Sequence, residues 1–177
     1  MKRLHHSLLA SALVLCTLPA SAQVVSSPEA RDDAQVQVTP FVSFGSTASS
    51  RVGAAIRFAL TPRLGLEAET GYRRGEIGAL SAHVSLLYDL PRVGNLTPYL
   101  ATGIGIEEFA TAADVPGLGL VTQERLALAV NAGAGVNAKV NQRWGVRTDA
   151  RWFNGLGTNA PEHWRLYNGL TFRPTAR

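Results

Sequence analysis

The sequence predicts an all-β fold, an eight-stranded antiparallel up-and-down transmembrane β-barrel, on three observations. Between Val36 and Phe172 the chain reads as eight stretches of period-two alternation. Their connections alternate between short and long. Nothing beyond the N-terminal segment approaches the roughly 18 apolar residues that a spanning helix needs. The stretch from Val52 to Leu60 shows the repeating unit. Val52, Ala54, Ile56, Phe58 and Leu60 form an apolar row, while Gly53, Ala55, Arg57 and Ala59 form the other.

Reading the alternation in order places strands over 36–46, 51–60, 64–73, 80–90, 98–109, 124–140, 144–153 and 163–172. Most are close to the roughly 9–11 residues with which a tilted strand crosses the hydrocarbon layer. The connections after the second, fourth and sixth strands are compact and rich in turn formers, as in Thr61-Pro62-Arg63, the segment 91–97 and Asn141-Gln142-Arg143. The connections 47–50, 74–79, 110–123 and 154–162 lie at the opposite end, and two of them are clearly longer. Short turns on one side and longer loops on the other are usual for such barrels, and an even strand number returns both termini to the short-turn side.

Alternation alone leaves open which row faces outward. A soluble lipocalin-like ligand-binding barrel would bury the apolar row and expose the charged one. The polar row, however, is rich in small residues, among them Gly53, Gly71, Gly103, Gly105, Gly133, Gly135, Gly145 and Gly169. Glycine weakens an exposed strand but gives room in a narrow interior. Aromatic residues also gather at strand ends. Phe41, Tyr88, Tyr99, Trp144 and Phe172 fall near the short turns, and Tyr72, Phe109, Trp152 and Trp164 near the long loops. Two such girdles suit the interfaces of a membrane. The apolar row is therefore expected to meet lipid. The inward row then carries Arg57, Glu67, Glu69, Arg73, His83, Asp89, Glu107, Lys139, Arg147, Asp149, Arg151 and Arg165. Buried charges persist when they are paired, so this row is expected to close the lumen as an ion-pair network.

The N-terminal residues 1–22 read as a signal peptide, with Lys2 and Arg3, an apolar core from Leu8 to Leu18, and Ala20-Ser21-Ala22 as the cleavage site. Cys16 raises a lipoprotein alternative, against which Leu15 is not the small residue such a signal needs. Removing Lys2 and Arg3 takes the formal charge from +4 to +2, so basicity gives no reason to expect a nucleic-acid partner. Cys16 is the single cysteine, which leaves the mature chain without disulfides or a thiol nucleophile. Residues 23–35 are expected to be a flexible periplasmic lead-in, 36–172 the barrel and 173–177 a short tail.

Thr97-Pro98-Tyr99 opens a glycine-alternating strand, Ala132-Gly133-Ala134-Gly135-Val136 precedes a tight turn, and Arg143-Trp144-Gly145-Val146-Arg147 follows it. On these motifs the chain resembles, across residues 36–172, the small outer-membrane β-barrel proteins of the OmpA/OmpX type. The last strand, with Arg165, Leu170 and Phe172, is similar to the family's C-terminal assembly signal, although Tyr167 stands where glycine is usual and Arg173 to Arg177 extend beyond the aromatic. The resemblance implies location in the bacterial outer membrane. It also implies contact with membrane lipids and lipopolysaccharide, and a passage through the barrel-assembly machinery.

Other constellations carry weaker chemistry. Glu67 and Glu69 share one strand face at a Cα spacing of roughly 6.5–7 Å, which could serve glycoside hydrolysis or simple ion pairing with Arg57, Arg73 or Arg147. His83-Val84-Ser85 resembles the His-x-Ser pair of outer-membrane lipid A deacylases and makes a lipid-modifying enzyme the alternative function. Gly133-Ala134-Gly135-Val136-Asn137-Ala138 fits a dinucleotide fingerprint only formally, because it lies inside a strand, and no cofactor is expected. His83 and His163 are too far apart in sequence to announce a metal site. Asn95-Leu96-Thr97 matches a glycosylation acceptor by chance, and the loop 110–123 is the expected contact for an extracellular partner.

Overall fold

A computed structural model describes residues 36–46, 50–73, 79–115, 119–157 and 162–174. The expected signal peptide and lead-in, and the last residues of the tail, lie outside them. Eight strands form one closed barrel: β1 (Val36–Gly45), β2 (Ser50–Ala59), β3 (Leu64–Arg73), β4 (Ala79–Asp89), β5 (Leu96–Val115), β6 (Gly119–Lys139), β7 (Trp144–Leu156) and β8 (Glu162–Phe172). Every neighbouring pair is antiparallel, and β8 closes on β1.

Short polar side chains hold the compact turns. Thr61 Oγ1 accepts the backbone N–H groups of Arg63 at 3.3 Å and Leu64 at 3.0 Å. Asn141 Oδ1 does the same for Arg143 at 2.9 Å and Trp144 at 2.8 Å. Between β4 and β5, Gly94 adopts φ 61°, a left-handed conformation that suits glycine, and Val93 and Leu96 exchange backbone hydrogen bonds of 2.9 and 3.0 Å.

The β1–β8 ladder is the least regular. It pairs Val38 with Phe172, resumes at Phe41 with Gly169, and runs to Gly45 with Arg165. The interruption falls at Pro40, whose ring removes a backbone donor. Inside the barrel the hydroxyls of Thr39 and Thr171 bridge the same place at 3.1 Å.

The alternation resolves into two faces. Arg57, Glu67, Glu69, His83, Glu107, Arg147, Asp149, Arg151 and Arg165 point inward and are buried. Val52, Leu80, Leu100, Ile104 and Leu128 stand outward, each more than half exposed. This is the reverse of a soluble barrel. Phe44 and Phe58 join Tyr72, Tyr88, Trp144 and Trp164 on the outside. Phe41, by contrast, is buried among inward residues, which corrects its expected girdle position. Its parity is that of Thr39 and Ser43, and its ring packs edge-on against Tyr167 with centroids 5.0 Å apart. Tyr99 is buried as well. The side chain of Phe109 lies outside the described residues.

Close packing explains particular glycines. A Cβ on Gly53 would approach the Phe41 ring to 2.5 Å, and one on Gly135 would approach the Tyr99 hydroxyl to 2.5 Å. These inner rings therefore occupy the space that glycine leaves.

The segment expected as the loop 110–123 is largely strand. β5 and β6 stay paired from Leu96 with Ala138 to Val115 with Gly119. Flanking support ends earlier, since β4 reaches β5 only to Glu107 and β7 reaches β6 only to Leu128. The hairpin thus continues past the rim, and its paired backbone needs no strong hydrophobic alternation. Gly135→Val is expected to lower unfolding stability by about 1–3 kcal/mol through overpacking, whereas outward Ala134→Val stays within about 0.5 kcal/mol. Urea titration of the folded barrel in detergent checks both values.

Candidate functional site

The interior chemistry follows from strand parity and closure. Glu67 and Glu69 occupy one face of β3, while Arg147, Asp149 and Arg151 occupy one face of β7. In a closed ring of eight strands these two lie opposite each other. An eight-stranded barrel is narrow enough for long side chains to meet across it. Arg147 clamps Glu67 with both terminal nitrogens, Nη2 to Oε1 at 3.0 Å and Nη1 to Oε2. Its Nε donates to Tyr99 Oη at 2.7 Å and to Asp149 Oδ2 at 2.8 Å. Tyr99 in turn donates to Asp149.

Arg151 binds three carboxylates. Nη2 reaches Glu67 Oε1 at 2.7 Å, Nη1 reaches Glu69 Oε2 at 3.0 Å, and Nε reaches Asp149 Oδ1 at 3.1 Å. The Tyr167 hydroxyl donates to Glu69 Oε1 at 3.0 Å. Both guanidiniums also lie over rings, Arg147 on Tyr99 at 5.1 Å and Arg151 on Tyr167 at 5.2 Å. The cavity beside this cluster, lined by Phe41, Ala55, Glu69, Arg147, Asp149 and Tyr167 among others, measures about 10 Å³. That is about the space of one water.

Two smaller groups flank the centre. Towards the short turns, Arg57 pairs with Asp89 at 2.7 Å. Towards the loops, Glu107 meets His83 at 3.2 Å, His163 at 3.3 Å and Arg165. Phe153 stacks on His163, with ring centroids 5.1 Å apart, and packs against His83 at the same separation. Arg165 covers Phe153 at 4.3 Å.

The structure brings together ten of the twelve expected inward charges in these three groups: Arg57 with Asp89, Glu67, Glu69, Arg147, Asp149 and Arg151 at the centre, Glu107 and Arg165 above, and His83 between the last two groups. Arg73 sits half-buried at the loop end of β3, and Lys139 half-buried at the turn end of β6. Among the outward aromatics, Trp152 is the cross-strand neighbour of Trp164, and Trp144 that of Phe172, with ring centroids 4.8 Å apart in the second pair.

The proposed hydrolytic residues are engaged elsewhere. His83 and Ser85 are both buried on the inner face of β4. His83 contacts Glu69 at 3.5 Å as well as Glu107, and Ser85 Oγ lies 3.4 Å from both Asn131 Oδ1 and Arg151 Nη1. Glu67 and Glu69 likewise face guanidiniums. Among the described residues, no group of three His, Cys, Asp or Glu side chains is placed to hold a metal ion. Sequence reasoning missed Arg51 and His163, which stand at strand ends. Extending the parity of Arg57 back to Arg51, and of Arg165 back to His163, would have found both.

No protein-family model matches this chain, and no curated protein matches it. Solved structures do resemble it. The N-terminal β-barrel domain of Pseudomonas aeruginosa OprF aligns with a TM-score of 0.63 and 17% identity, over 77% of this chain and 96% of that one. Neisserial surface protein A aligns at 0.57 and 13% identity, over 78% and 96%. The outer membrane enzyme PagL aligns at 0.52 and 17% identity, over 78% and 99%. The fold is therefore that of small eight-stranded outer-membrane barrels.

Arg151→Met is expected to destabilise the barrel by on the order of 3–5 kcal/mol, because it leaves buried carboxylates uncompensated. Arg57→Met should cost much less, since Asp89 is partly solvated. A double-mutant cycle of Arg151→Met with Glu69→Gln, followed by tryptophan fluorescence in urea, should be non-additive by roughly 0.5–3 kcal/mol.

Proposed function

We propose that this chain is a bacterial outer-membrane β-barrel, exported with residues 1–22 as a signal peptide cleaved near Ala22, and that its role is structural or surface-interacting. The observation that carries the reading is the outward face. A continuous belt of exposed Val, Leu, Ile and Phe side chains surrounds the barrel. In water so large an apolar surface is unfavourable, whereas hydrocarbon accepts it. Aromatic pairs border the belt, Trp144 with Phe172 at one edge and Trp152 with Trp164 at the other. Eight residues separate Trp144 from Trp152, about 27 Å along the strand and roughly 20 Å along the membrane normal at the usual tilt. That height is close to the apolar band of such barrels.

On this reading the central cluster is a plug that closes the lumen to bulk diffusion. Its partners are membrane lipids and lipopolysaccharide around the belt, with the barrel-assembly machinery acting on the strand that ends at Phe172. The β5–β6 hairpin beyond the rim is the element available to an extracellular partner. We assign no catalytic role to His83 and Ser85, because both side chains are turned from the lipid into the packed interior.

Cell fractionation should recover the protein in the outer membrane, and its folded form should migrate faster than the boiled form on gels. Release by osmotic shock would contradict the proposal. In the folded barrel, Leu100→Arg is expected to cost about 2–4 kcal/mol if that face meets the bilayer. Planar-bilayer recordings should show no sustained conductance for the unaltered protein, and a stable open channel would remove the plug.

A further inference from the structure

The apolar belt around the barrel is broken at its middle. Asn168 and Thr148 have the outward parity of β8 and β7, and they stand directly opposite each other in the ladder. Asn168 is four residues from Trp164 and four from Phe172, while Thr148 is four from Trp144 and four from Trp152. Each position is therefore about 13 Å along its strand from both aromatic edges. The pair sits at the midplane of the belt.

The pair is only half satisfied. The Thr148 hydroxyl and Asn168 Oδ1 lie 3.0 Å apart, which serves one end of the amide. The amide nitrogen carries two N–H donors and has no acceptor among the described residues. Hydrocarbon supplies no water for these donors, and leaving them unmet is costly. Thr102, an outward hydroxyl on β5, differs, since it donates to the Asn131 carbonyl at 3.2 Å. Among the described outward residues between the aromatic edges, Asn168 is the one carboxamide.

The wall around the pair is low. β6 and β7 present Ala132, Ala134, Ala138 and Ala150 outward. On the far side of the barrel, β3 and β4 present Leu66, Leu80 and Leu86. Small side chains let two backbones approach in a membrane until polar groups can bond across the contact.

We propose that the outer wall of β6–β8 is a contact between two copies of this chain in the membrane, an inference that rests on the membrane reading above. Asn168 of each copy bonds Asn168 of the other across a two-fold axis along the membrane normal. The geometry of insertion favours this occupant. Copies inserted by one route hold Asn168 at the same depth, and such an axis brings the two together. The amide is also self-complementary. An N–H of each copy meets the second lone pair of the other's Oδ1, while Thr148 keeps the first. Lipid cannot do this at the midplane, where its chains carry no polar group.

The test uses the full mature barrel refolded into phosphatidylcholine vesicles over a range of protein-to-lipid ratios. Dyes attached through Gln142→Cys, in the exposed β6–β7 turn, should show energy transfer that saturates at two copies per assembly. Asn168→Leu should weaken association roughly ten- to a hundredfold. At high dilution in lipid it should resist urea at least as well as the unaltered barrel, because it removes an amide from hydrocarbon. Asn168→Gln should keep much of the association that Asn168→Leu loses, and Thr102→Val should leave it unchanged. Oxidation should link copies through Val42→Cys, directly beside Asn168, and not through Val84→Cys at a similar depth on β4. A barrel monomeric at every ratio, undiminished association in Asn168→Leu, or equal linking through Val84→Cys would overturn the contact. So would a Val42→Cys link, in whole cells, to a different protein and never to a second copy. Each of these results leaves membrane insertion intact, because cell fractionation reads that separately; recovery outside the outer membrane would sink both.

Discussion

The clasp of Arg147 and Arg151 on Glu67, Glu69 and Asp149 is the interaction on which the rest of the barrel depends. It ties β3 to β7 across the full width of the lumen. Ladder hydrogen bonds hold each strand only to its neighbours, so this cluster is what joins opposite walls. Its strength is conditional. Five charges buried together would be ruinous if any were unpaired, and they are tolerable because every one is met by a geometrically suitable partner. The two phenols, Tyr99 and Tyr167, complete the set by donating to Asp149 and Glu69.

Packing around the clasp follows from the same confinement. Glycine on the inner row leaves room for rings and guanidiniums that would otherwise collide, as Gly53 does for Phe41 and Gly135 does for Tyr99. The outer row carries the opposite demand, since it must be apolar throughout and aromatic at its edges. Each strand answers both demands at once by alternating. This is why a chain with 17% charged residues presents an almost uncharged outer wall.

The irregular features lie where one of these demands relaxes. Pro40 interrupts the closing ladder, and the Thr39–Thr171 hydroxyl bridge spans the gap from inside. The β5–β6 hairpin outgrows its neighbours, and past Glu107 it is held by the single ladder between its own strands. At the loop end of the lumen, basic side chains gather on Glu107. There Glu107 of β5 is met by His83 of β4 and by His163 and Arg165 of β8, a meeting of three strands that parity along any one of them does not encode.

The sequence by itself determined the strand number, the antiparallel order and the identity of the two faces, because a period of two is a local property of the backbone. Arg57, Glu67, Arg147 and Arg151 were legible as inward residues for that reason. Their partners were legible only in part: Arg147 stood among three candidates for Glu67, with nothing to choose between them. Register places Arg57 directly beside Glu67, which makes that pair the natural expectation, yet Arg57 turns to Asp89 and Glu67 is held from the far wall by Arg147 and Arg151. Phe41 shows the same limit, since an aromatic near a strand end reads as a girdle residue until closure puts it against Tyr167. Which charges meet depends on the curvature and diameter of the closed barrel, and no local pattern encodes a distance across an interior. Only the tertiary structure decided that.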